Sequence, residues 1–92
     1  MVLCTLKKSE ERFALERLQH QQIDYATQSL KNEHINLFFG KKECIEVVRH
    51  IIDKPLNQLT PEEDFILGVM LGYDICRQCK RYQNRKTIFK TA

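Results

Sequence analysis

From Phe65 to Tyr73 the chain reads FILGVMLGY, nine residues without a charge. On a helix such a run is apolar all round and has to be buried all round. Charge is dense elsewhere, with 15 Lys/Arg and 12 Asp/Glu among 92 residues. A chain this short reads as one domain and buries only roughly 60–65% of its extended surface. The question is what can cover the uncharged run.

The elements before it offer little spare surface. Val2 to Leu6 is a continuous apolar stretch of strand character, and Ser9 followed by Glu10 and Glu11 is a helix start. Ala14, Leu15 and Leu18 give that helix an apolar stripe. IDYATQS, Ile23 to Ser29, alternates like a strand, LKNE is a turn with Asn32 able to take a left-handed conformation, and HINLFFG is a third, more apolar strand. Gly40 breaks it. A helix carrying Cys44, Val47, Val48 and Ile51 runs to about Lys54, before Pro55. Thr60, Pro61 and Glu63 then form a capping box, and the helix they open is expected to reach Tyr82, with a bend near Gly72.

The order β-α-β-β-α followed by a long C-terminal helix predicts an α+β fold. A right-handed crossover leaves room for one strand between its ends, so the third strand fills the middle and the sheet order is 1-3-2. This is a ferredoxin-like arrangement without its fourth strand. Residues 1–54 form the sheet unit, 55–82 the helical segment, and 83–92 (QNRKTIFKTA) a basic tail with no cap or clean period.

Such a unit leaves the edge of strand 1 open and most of the uncharged helix uncovered, so a second copy is the expected cover. Gly68, Gly72, Cys76 and Cys79 fall on one stripe of small side chains if the helix is continuous. Phe65, Gly68, Val69, Gly72 and Cys76 are therefore the expected homodimer interface, with glycines one turn apart allowing close backbone approach.

Cys76 and Cys79 also make a CxxC pair. A structural zinc site needs four ligands, and this chain has one such pair; a redox CxxC sits at a helix N-terminus, whereas a continuous helix puts this pair about four turns in. Packing is the preferred reading. Metal binding or redox chemistry is the alternative, and two cysteines from each of two chains would supply four ligands.

The charge is uneven. Residues 1–74 hold nine Lys/Arg against twelve Asp/Glu, while residues 75–92 hold six Lys/Arg and no acid. Arg77, Lys80, Arg81, Arg85 and Lys86 thus form a candidate patch for an acidic partner. Nucleic acid ranks lower, because only Tyr82 and Phe89 are available for stacking in that stretch. His20, His34 and His50 share no ligand spacing, Gly40-Lys41-Lys42 reads as a plain strand-to-helix junction, and no nucleophile–base set or carboxylate pair stands out. The expectation is a non-enzymatic protein with no cofactor. No stretch approaches the ~20 apolar residues of a membrane span, and the start does not read as a secretory signal, so a cytoplasmic setting with reduced thiols is expected.

INLFFGKKECIEVVR and KPLNQLTPEEDFILGVMLGYDICRQCKRY resemble an uncharacterised bacterial family, domain of unknown function number two thousand and twenty-three. The resemblance runs from about Phe13 to Tyr82, with its most specific part from Leu59 to Tyr82. It implies a three-stranded α+β homodimer and no assigned activity. It also implies a setting near flavodoxin genes, which would make an acidic flavodoxin-like electron carrier the partner for the basic patch.

Overall fold

The computed structural model describes the backbone of residues 1–91 and the side chains of residues 1–87. The chain divides into two compact units between Asp53 and Lys54.

The first unit contains β1 (Val2–Lys7), α1 (Lys8–His20), β2 (Asp24–Ser29), β3 (His34–Gly40) and α2 (Lys42–Arg49). The strands form one antiparallel sheet in the order β1-β3-β2, as the crossover argument requires. β3 is central because it can be buried on both faces. Ile35 and Leu37 point one way, Asn36 and Phe38 the other, and all four are buried. α1 contributes Leu18 to the core, and α2 contributes Ile45 and Val48.

One row of the register is polar. Thr5, Asn36 and Gln28 lie opposite one another across the three strands. Thr5 Oγ1 donates to Asn36 Oδ1 at 2.8 Å, Asn36 Nδ2 donates to Gln28 Oε1 at 3.0 Å, and Gln28 Nε2 donates to the Ile52 carbonyl at 3.2 Å. Every donor runs in the same direction, so the bonds polarise one another. The alternation of faces was legible in the sequence, but the match of three polar residues was not.

Two boundaries differ from expectation. α1 starts at Lys8 rather than after Ser9, because Glu10 reaches back to accept from the Lys7 N–H and the Lys8 N–H donates to Glu33 O. α2 ends at Arg49, and turn bonds carry the chain on past buried Ile51. Asn32 does take the left-handed conformation, and Glu33 joins it.

The second unit has a short 3-10 turn (Leu56–Gln58), α3 (Pro61–Met70) and α4 (Ile75–Thr91). The expected single helix is two. α3 opens on the Thr60 capping box: Glu63 N–H donates to Thr60 Oγ1, and Thr60 N–H donates to Glu63 Oε1. It closes at Gly72, whose φ is +81°. The Gly72 N–H donates to Val69 O, and the Tyr73 N–H donates to Gly68 O, the paired bonds of a Schellman cap. Two residues later Asp74 Oδ1 accepts from the Arg77 N–H and starts α4. α4 takes in residues 83–91 of the basic tail; Ala92 lies outside the described residues.

Candidate functional site

The distinctive surface of this protein is the α3–α4 hairpin, and it follows from how the two helices grip each other. α3 begins with Glu62, Glu63 and Asp64, which suits the positive end of its dipole. The antiparallel return of α4 brings cations beside those acids. Arg81 makes a two-pronged contact with Asp64 at 2.7 and 3.1 Å, and Arg85 reaches the same carboxylate at 3.2 Å. Arg85 also donates to the Leu59 carbonyl at 2.8 Å. Lys86 pairs with Glu62 at 2.6 Å, and the Tyr82 hydroxyl donates to the same Glu62 at 2.9 Å. Lys54 pairs with Glu63 at 2.6 Å.

These contacts bias protonation. Lys86, then Tyr82, holds the Glu62 carboxyl below its ordinary value, and Lys54 with the Thr60 backbone does the same for Glu63. The Glu62 carboxylate in turn raises Lys86 and Tyr82, and the Asp64 hydrogen bond raises Arg81.

The apolar contact is equally specific. Gln78 of α4 is buried over Gly68 of α3. A Cβ at Gly68 would lie 2.6 Å from Gln78 Cδ and closer still to its Oε1, so any larger residue must push the Gln78 side chain aside. With Gln78 turned inward, the helix period fixes the outward set. Phe65 meets Tyr82 edge-on with centroids 5.6 Å apart. Beside that pair runs a groove of about 450 Å³ lined by Glu62, Phe65, Ile66, Cys79, Tyr82 and Gln83. Ile66 is 42% exposed and Val69 40%; Tyr73 at 58% and Ile75 at 53% continue the apolar surface to the turn. Ten residues of sequence thus expose four large apolar side chains. In the first unit Phe13, on α1, is the most exposed apolar residue, and Val2, Leu30 and Val47 are scattered over other elements. Isolated exposures of that kind are ordinary.

The residues expected to form an interface separate into two groups. Phe65 and Val69 lie on the apolar flank, and Cys76 is exposed in the first turn of α4. Gly68 and Gly72 do not share one continuous helix face: Gly68 is filled by Gln78 of its own chain, and Gly72 caps α3 with nothing in the chain within 4 Å of where a Cβ would stand. Nor is the CxxC pair four turns into a helix, because α4 begins at Ile75; both thiols are exposed. Among the described residues no three His, Cys, Asp or Glu gather into a metal-holding group. Of the five basic patch residues, Arg81, Arg85 and Lys86 are engaged by α3, while Arg77 and Lys80 form no ion pair among the described residues. Ile66, Cys79 and Tyr82 complete the flank. Asp74 carried the signal for it, since a side-chain cap two residues after a glycine marks one helix ending and another starting.

No described helix is long and apolar enough to cross a membrane. The model of a family described as "Protein of unknown function (DUF2023)" matches residues 1–85, and the chain belongs to that family. No curated protein matches it.

Proposed function

We propose that this member of the family is a non-enzymatic, cytoplasmic interaction protein that works as a homodimer, with the apolar flank of the α3–α4 hairpin as its contact surface. The observation that carries this reading is the run of Ile66, Val69, Tyr73 and Ile75, all exposed on one short hairpin. Four large apolar side chains exposed within ten residues suit a contact surface better than scattered exposure does. The hairpin that presents it is braced by a buried Gln78 and by ion pairs along its other positions, so the surface is held in shape before any partner arrives. A second copy suits the surface, because a twofold contact sets the same apolar patch against itself. An acidic partner would have to draw Arg81, Arg85 and Lys86 away from Glu62 and Asp64.

Val69→Asp places a charge on the flank without disturbing a buried group. Light scattering after size exclusion is expected to give a dimer for the wild type and a monomer with unchanged circular dichroism for the variant. A variant that associates like the wild type removes the flank from the account.

A further inference from the structure

We propose that two hairpins together hold one soft metal ion, zinc by its chemistry, through Cys76 and Cys79 of each copy. The inference rests on the homodimer reading and adds a site to it.

The thiols have the spacing of a chelating pair. Cys76 and Cys79 are i and i+3 on α4, and such residues are neighbours on the helix surface, roughly 5–6 Å apart at Cβ. C-x2-C is half of a tetrahedral thiolate site. Gln78 between them is buried against Gly68, which sets the rotation of α4 and leaves both thiols exposed. The single chain stops at two ligands, since no third His, Cys, Asp or Glu joins them among the described residues. The site is incomplete without a second copy.

Position and charge favour the second copy as the source. The pair sits in the first turns of α4, directly after the tight connection from Leu71 to Asp74, so it stands near the end of the hairpin. Exposed Tyr73 and Ile75 flank it there, and Cys79 also lines the apolar groove. A twofold contact through that surface brings four thiols to one place. Four thiolates around a divalent zinc carry a net charge of about −2. Arg77 and Lys80 alternate with the thiols along α4 and have no ion-pair partner among the described residues, in contrast to Arg81, Arg85 and Lys86. Two copies supply four such cations around the site, where they offset its charge and can donate to sulfur.

The test is native mass spectrometry of the reduced protein titrated with zinc, alongside Cys76→Ser/Cys79→Ser and Cys4→Ser/Cys44→Ser. The expected endpoint is two chains with one zinc. The first double variant loses the zinc and the second keeps it. A dimer that takes up no zinc, or an endpoint of one zinc per chain, overturns the metal site and leaves the dimer standing. Zinc kept by Cys76→Ser/Cys79→Ser overturns the assignment of these ligands. A monomer with and without zinc overturns both the site and the homodimer.

Discussion

Gly72→Ala separates the two roles a glycine can have in this chain. If Gly72 lay in a helix packed against a neighbour, any side chain would clash and association would suffer. In the structure the position is open, with nothing within 4 Å of where a Cβ would stand, and the demand is on the backbone, whose φ is +81°. A side chain in the left-handed region costs roughly 1–2 kcal/mol. Replacing glycine also restricts the unfolded chain, which returns about 0.4–1 kcal/mol. The net loss is about 1 kcal/mol, or about 4–8 °C in Tm for a domain of this size. Gly72→Asn is expected to lose less, because asparagine tolerates the left-handed region. Thermal and urea unfolding read the stability, and light scattering reads the association state, which is expected to match the wild type. A neutral Gly72→Ala, or a variant that changes its association state while keeping its stability, refutes the reasoning.

Three further outcomes follow from the contacts described. Gly68→Ala gains helix propensity but pushes on buried Gln78, and is expected to cost about 1–2 kcal/mol as overpacking; Gln78→Ala in that background should recover most of it, and a double-mutant cycle in urea showing no coupling would contradict the contact. Asn36→Ala removes the partner of exposed Thr5 and of buried Gln28, with an expected loss of about 1–2 kcal/mol by the same unfolding assay, and a loss below half a kcal/mol would show the polar row to be dispensable. Glu62 and Glu63 are held below the ordinary carboxyl value of 4.5, so the folded chain binds those protons less readily than the unfolded one. Their stabilisation is complete above that pH and disappears as pH falls through the lower folded values; Glu62→Gln should flatten part of this acid loss, and an unchanged pH profile would show that the Lys86 pair adds nothing.

The sheet was legible because its signals are local. A continuous apolar β3 between two more polar neighbours has to be central, and the crossover rule places it there. The helical region was misread at one glycine. Gly68 and Gly72 look alike in a sequence, yet one makes room for Gln78 and the other turns the chain. Asp74 was the local evidence for the turn, and the length of the uncharged run masked it. The pairing of the basic residues could not be read locally at all. Arg81, Arg85 and Lys86 find Glu62 and Asp64 only because α4 folds back along α3, and that register spans about twenty residues. Within one chain the uncharged run places Leu67 and Gly68 inside and leaves Ile66, Val69 and Tyr73 outside, the part expected to need a second copy. The break at Gly72 brings the two thiols to a helix start.

The central claim is that copies of this chain meet through the hairpin flank. Site-specific photo-crosslinking tests it most directly, with the crosslinking side chain placed at Ile66 on the flank in one sample and at exposed Phe13 on α1 in another. The account predicts covalent dimers from Ile66 and none from Phe13. Dimers from Phe13 alone, or none from either position, would contradict it.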